Sequence, residues 1–265
     1  MYDATTTTIL DTPPYLFFTV IGVVFATSAF ILLLLKYDYF IPRYTKIFLL
    51  SSIGLILGAA LFGGLSNLYS ALASNEIITI YTFMRSGIVF YGGMIGFLAT
   101  FLFMCRILTK KTDFAVLDIV VVCIPLFHFF GRLGCFFAGC CYGIESSSLL
   151  SIIYTNQIGD EAITASRIPV QLFEAVFNFM LFTALLIMLS KKRQKNHLVV
   201  VYLIVYAIFR IFIEFLRGDE VRGVWNGISF SQVVSVVILL FCGLFIYKKI
   251  REKSIKLSVK IGEKA

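Results

Sequence analysis

Six arginines in this chain stand apart from the rest of its positive charge. Of the 23 Lys and Arg residues, seventeen fall into four clusters, at 36–46, 106–111, 191–195 and 248–264. The other six are Arg85, Arg132, Arg167, Arg210, Arg217 and Arg222, with no lysine among them. Arg85, Arg132 and Arg210 lie inside apolar runs. A charge there costs roughly 2.5–3.5 kcal/mol on insertion scales and is usually retained for a partner or a ligand. A guanidinium presents a planar fork that matches phosphate or carboxylate bidentately, whereas an ammonium is a point charge. Snorkelling to the interface, or pairing with glutamate, accounts for Arg217 and Arg222. Arg132 and Arg210 point to an anion.

Polar partners recur at helical spacing. Gln171, Glu174 and Asn178 fall at i, i+3 and i+7, which places them on one helix face pointing into a bundle. Tyr206, Arg210, Glu214 and Arg217 recur at intervals of four, four and three and share a face too. An Arg210–Glu214 ion pair is the simplest reading of that stripe, with Glu174 available to join it. Arg132 sits in Phe130-Gly131-Arg132-Leu133-Gly134-Cys135, followed by Gly139, Cys140, Cys141 and Gly143. Four glycines in the thirteen residues 131–143 argue against an ordinary helix end and for a loop whose N–H groups can approach an anion. In Tyr91-Gly92-Gly93-Met94-Ile95-Gly96 the glycines each cost roughly 1 kcal/mol against alanine in a helix. They fit a close approach of ligand to backbone, or small-residue packing between helices. Cys135, Cys140 and Cys141, even with His128 nearby, do not have a standard zinc spacing. Small-residue packing around a tight turn explains them most simply, a disulfide in an oxidising exterior remains open, and no metal is expected.

The elements that position these groups are membrane helices. The chain of 265 residues is 59% hydrophobic and 14% charged, with mean hydropathy +0.93. That composition describes a polytopic membrane protein. Seven candidate spans, at 15–35, 47–70, 83–108, 114–137, 169–190, 197–216 and 228–250, each approach the ~20 residues a crossing helix needs. Lipid offers no partner for open backbone groups, so the spans must be helical. The expectation is one all-α membrane domain over 1–265, its basic tail at 248–265 cytoplasmic. The four Lys/Arg clusters face the cytoplasm, and the N-terminus and the 71–82, 138–168 and 217–227 connections face outward. No removable signal peptide is expected, because the first fourteen residues carry no positive charge. The +8 net charge suits anionic lipid headgroups and is a poor argument for nucleic acid. With this threading, Arg132, Arg210, Tyr91 and Glu174 share one level in the outer half of the membrane. The 138–168 connection is long enough to cap them, and a phospholipid headgroup is the anion at hand.

At these residues the chain resembles the bacterial prolipoprotein diacylglyceryl transferases. Gly131-Arg132-x-Gly134, Phe136 and Gly139 match that family's signature. Pro169, Gln171, Leu172 and Glu174 match its next segment, and Tyr206, Arg210, Glu214 and Arg217 its last helix. The resemblance implies transfer of a diacylglyceryl group from phosphatidylglycerol to the cysteine thiol of a prolipoprotein, releasing glycerol phosphate. It also implies no cofactor, a monomeric enzyme and residence in the bacterial inner membrane, with the site facing the outer leaflet. Arg132 and Arg210 would hold the phosphate, Tyr206 and Glu214 would orient Arg210, and Gln171 and Glu174 would shape the pocket. Gly92, Gly93, Gly131, Gly134, Cys135, Gly139 and Arg217 would line it. The chain departs from the family in four places: Tyr91 replaces a loop histidine, and Cys135, Ala138 and Cys140 replace Asn, Asn and Glu. Those changes keep open transfer to another lipid or a glycan acceptor. A lipid or anion transporter or binding protein would use the same cavity without breaking a bond.

Overall fold

The computed structural model describes residues 2–3, 12–74, 89–110, 114–158, 161–191, 197–218 and 224–262. Arg85 and Arg222, and most of the 71–82 connection, lie outside the described residues. Seven helices are described: α1 (Pro14–Lys36), α2 (Ile41–Ser74), α3 (Phe90–Thr109), α4 (Phe114–Phe137), α5 (Val170–Ser190), α6 (Leu198–Glu214) and α7 (Phe230–Gly262). Six of them are long and apolar enough to cross a membrane. The other, α6, has 17 residues and reaches roughly 25 Å at 1.5 Å per residue, a little short of the ~30 Å apolar layer.

Helix α4 is the axis of the bundle. Of its membrane window 61% is buried, against 17–33% for the other five long spans. Every residue from Val116 to Cys123 is buried, as expected of a helix that is apolar all round. One exception proves useful: buried Asp118 accepts a hydrogen bond from Leu198 N at 3.1 Å and so caps the start of α6. Helices α1 and α5 pack against α4, α2 against α3, and α6 against α7. The outward faces are apolar. Ile56, Leu57, Phe212, Phe241 and Leu244 are each 65–70% exposed, which in water would forfeit about 1.5–3 kcal/mol apiece and in lipid costs nothing.

The 138–168 connection departs from the helical plan. Strands β2 (Ile152–Ile158) and β3 (Glu161–Arg167) form an antiparallel hairpin, Ile152 opposite Arg167, and β1 (Tyr2–Asp3) pairs with β2 in parallel. A second small hairpin joins β4 (Val224–Trp225) to β5 (Ile228–Ser229) ahead of α7. The cap is stitched to the bundle through backbone. Gly143 N donates to Ile168 O at 2.8 Å, Ile144 N to Leu216 O at 2.9 Å and Gly218 N to Tyr142 O at 3.1 Å. A Cβ on Gly143 would stand 2.7 Å from both Ile168 O and Leu216 O, so only glycine permits this junction.

Candidate functional site

The sequence places Arg132 in an open glycine loop; the structure places it within α4, which runs unbroken to Phe137. Gly131 and Gly134 are helical, and their N–H groups serve the helix rather than an anion. Gly134 lets α1 approach, its missing Cβ lying 3.2 Å from Phe18 Cβ. The reversal comes later, at Gly139, whose φ is 65°. Gly92 and Gly93 are likewise reassigned: both face α2, and a Cβ on Gly92 would collide with Gly58 O and Phe62. Close helix packing, one of the two readings the sequence left open, accounts for both.

The charged residues do converge. Glu174 on α5 bridges the two arginines, with Oε2 paired to Arg132 Nε and Oε1 to Arg210 Nη1 at 2.9 Å. Arg210 Nη2 meets Glu214 Oε2 at 2.7 Å and donates to Ser231 Oγ at 3.3 Å. All four ionised side chains are at least 90% buried. Two positive and two negative charges balance, which is the condition for leaving them inside a low-dielectric bundle. Arg132 is engaged only through Nε, which also donates to His128 Nε2 at 3.1 Å. Among the described residues its two terminal amino groups have no hydrogen-bond partner. The prong of the fork that grips an oxyanion is therefore open.

The partners of Arg210 among the described residues are Glu174, Glu214 and Ser231, and Tyr206 is not one of them. Its ring is a wall instead, 5.4 Å from Tyr91, 5.5 Å from His128 and 5.6 Å from Phe90, centroid to centroid. Glu174, Glu214 and Ser231 hold Arg210 in its place. Tyr91 is tied up as well. Its hydroxyl lies 2.6 Å from Ser235 Oγ, which in turn donates to Ser231 O at 2.7 Å. Gln171 binds the cap: its Nε2 donates to Cys140 O at 2.7 Å, and its Oε1 accepts from Tyr154 at 3.2 Å. Arg217 is buried beneath the cap, where it pairs in a β-bridge with Gly143. Arg167 is partly buried at the rim, 2.8 Å from Glu145 and stacked over Tyr142.

Sequence reasoning missed Tyr154, Ser231 and Ser235, and weighed His128 only as a metal ligand. His128 had a signal, since it precedes Arg132 by one helical turn. It stacks on Phe90 with centroids 3.6 Å apart. Ser231 and Ser235, four apart in an apolar span, also had one. Tyr154 had none, because only the hairpin register turns it inward. Cys135, Cys140 and Cys141 come together with all three sulfurs within 4.8 Å of one another, and all are free thiols. Cys141 is held well below the ordinary thiol range because the Cys135 and Cys140 thiols hydrogen-bond to it, with Arg132 and Arg217 adding positive charge.

A family model described as prolipoprotein diacylglyceryl transferase matches residues 9–248. The chain is 36% identical over 170 residues to phosphatidylglycerol-prolipoprotein diacylglyceryl transferase 2 of Clostridium perfringens, a match covering 63% of this chain and 64% of that protein. With the transferase of Clostridium tetani it shares 32% identity over 199 residues, 74% of this chain and 76% of the relative. The Treponema denticola transferase is 29% identical over 271 aligned residues, 80% of this chain and 79% of the relative. The match takes in α1 to α6 and the cap, and with them every residue of the buried charge cluster: the chain belongs to the prolipoprotein diacylglyceryl transferase family.

Proposed function

We propose that this protein moves the diacylglyceryl group of phosphatidylglycerol onto the cysteine thiol of a prolipoprotein and releases glycerol phosphate, the reaction for which its relatives are named. One observation carries the reading: a buried arginine, Arg132, with its terminal amino groups open, tied through Glu174 to a second arginine. A phosphate diester brings one negative charge and two free oxygens, which suits that fork. Arg210, shared between Glu174 and Glu214, fixes Glu174 and through it the open end of Arg132 that meets the phosphate. The sulfur–carbon bond forms at the glyceryl carbon while the carbon–oxygen bond breaks, and the electron pair leaves on glycerol phosphate. Donors fixed where that charge develops lower the barrier without reorganising.

The thiol proton needs an acceptor. Tyr91 stands where the family has its histidine, but a phenol titrating near ~10 is a poor base at neutral pH, and its hydroxyl is held by Ser235. His128 is the base in this reading. Its Nε2 accepts from Arg132 Nε while Nδ1 carries the proton, so the Nε2 lone pair takes the thiol proton once Arg132 Nε is drawn wholly to Glu174. The orientation goes with this assignment: the N-terminus, the cap and the charge cluster face the outer leaflet of the bacterial inner membrane, and the Lys/Arg clusters face the cytoplasm.

Cys135, Ala138 and Cys140 in place of Asn, Asn and Glu favour a second reading in which the acceptor differs from the ordinary precursor. The experiment is incubation of purified protein with labelled phosphatidylglycerol, following glycerol phosphate release with and without a lipobox peptide. Release that requires the peptide supports the transfer. Release with a different acceptor only supports the second reading. No release under any condition would leave a lipid-binding or transport protein.

A further inference from the structure

The outer end of α4 carries a cluster to which the proposed transfer assigns no chemical step. Cys135 lies in the last turn of the helix. Gly139 (φ 65°) and Cys141 (φ 60°) then reverse the chain, so that Cys140 N donates to Cys135 O at 3.1 Å. This turn brings together three thiols that the spacing in sequence did not mark as ligands. All three sulfurs lie within 4.8 Å of one another. Thiolates at zinc–sulfur bonds of about 2.3 Å stand about 4 Å apart, so a small inward movement closes the set around one ion.

We propose that Cys135, Cys140 and Cys141 form a three-thiolate site for a soft d10 cation, zinc or cuprous copper, at the mouth of the arginine site. Sulfur donors select such ions over magnesium or calcium. The burial is graded in the right sense: Cys135 is buried, Cys141 intermediate and Cys140 exposed. The ion enters from the outer side past Cys140 and keeps an open coordination position there. Three thiolates around a monovalent or divalent ion leave net negative charge, and Arg132, one helical turn before Cys135 on α4, offsets part of it. The site is coupled to its surroundings through backbone, because the carbonyl of Cys140 accepts the Gln171 amide at 2.7 Å. A bound ion therefore fixes the turn on which Gln171 and the cap depend.

The test uses the full-length protein in detergent, kept reduced and stripped with chelator, with zinc and then cobalt as probes and no lipid substrate present. Failure of the transfer reading would leave this measurement untouched. The expected result is one zinc per chain, thiolate-to-cobalt charge-transfer absorption in the cobalt form, and protection of these three cysteines from alkylation. Cys140→Ser, at an exposed position, should weaken binding by at least about 100-fold, beyond the ~10–100-fold typical of an outer-sphere partner, while the protein remains monodisperse. Cys135→Ser should abolish the cobalt bands. Substoichiometric zinc with all three thiols freely alkylated would overturn the proposal. So would zinc binding that survives both variants. A disulfide between two of the three that persists under reducing conditions would overturn it too, making the cluster a redox pair.

Discussion

Two helix interfaces in this molecule hold elements together inside lipid with opposite materials. Between α2 and α3, Gly54, Gly58, Gly92 and Gly96 interleave, and a Cβ on any of them would run into the facing backbone or side chain. Among α4, α5 and α6, two arginines and two glutamates meet in a buried network. Glycines let backbones come close and gain dispersion without exposing a polar group. Buried ions carry desolvation penalties of several kcal/mol each, and apolar side chains of similar volume would often serve stability as well or better. The glycine seam needs no purpose beyond assembly. The charged network does need one, and the open end of Arg132 names it.

The comparison breaks most sharply at Arg132. Arg132→Lys keeps the charge and the ion pair but removes the fork, so turnover should fall by about 10²–10³ while the thermal unfolding midpoint stays near that of the parent. Retained turnover would mean that a point charge suffices and the fork argument fails. Arg132 in this respect differs from every glycine in the seam.

His128→Gln tests whether the network also handles the proton. Loss of a general base should lower turnover at neutral pH by about 10²-fold. Activity of the variant should then climb as the pH rises through the ordinary thiol range near ~8.5, where the acceptor ionises unaided. A variant with the same pH profile as the parent would place the base elsewhere. Glu174 and Glu214 would be the next candidates.

The seam should respond in stability and not in chemistry. Gly58→Ile drives a branched side chain into Gly92 and should cost about 1–3 kcal/mol by overpacking, read as a lower unfolding temperature and reduced monodisperse yield. Gly131→Ala is the control, since nothing lies within 4 Å of its missing Cβ; it should stay within about 0.5 kcal/mol of the parent. Equal damage from both would show that these helices do not meet through the seam.

The smallest effect is expected at the rim. Arg167 pairs with Glu145, whose side chain is 69% exposed, so Arg167→Ala should cost no more than about 1 kcal/mol and leave turnover intact. A large loss of activity there would extend the anion site out of the bundle and into the cap.

The expected span 114–137 and helix α4 (Phe114–Phe137) coincide because an apolar run of that length has no other stable conformation in lipid. Five of the other six expected spans also fall on helices long and apolar enough to cross, although α7 runs on to Gly262; the span at 197–216 falls on the 17-residue α6, and the start of the one at 83–108 lies outside the described residues. The charged members of the site were legible because ionisable groups are expensive in an apolar segment, and helical spacing put Gln171 with Glu174 and Arg210 with Glu214 on shared faces. What the local pattern misjudged was the glycines. A count of glycines argues for a loop at 131–134, but close approach of α1 to Gly134, and of α2 to Gly92, makes those same residues favourable within helices.

The sequence by itself determined that this chain crosses a membrane as helices, which residues are costly there, and to which family it belongs. The Arg210–Glu214 pair was legible from its spacing, but only the tertiary structure decided that Arg132 joins it through Glu174. Helical periodicity fixes a face on one helix but not which neighbouring helix that face will touch. The bridging of Arg132 to Arg210 through Glu174, the burial of His128 against Phe90, the descent of Tyr154 onto Gln171 and the gathering of three thiols all depend on contacts between distant segments. Those contacts are set by how the helices and the hairpin pack together, and a one-dimensional pattern carries no record of that packing.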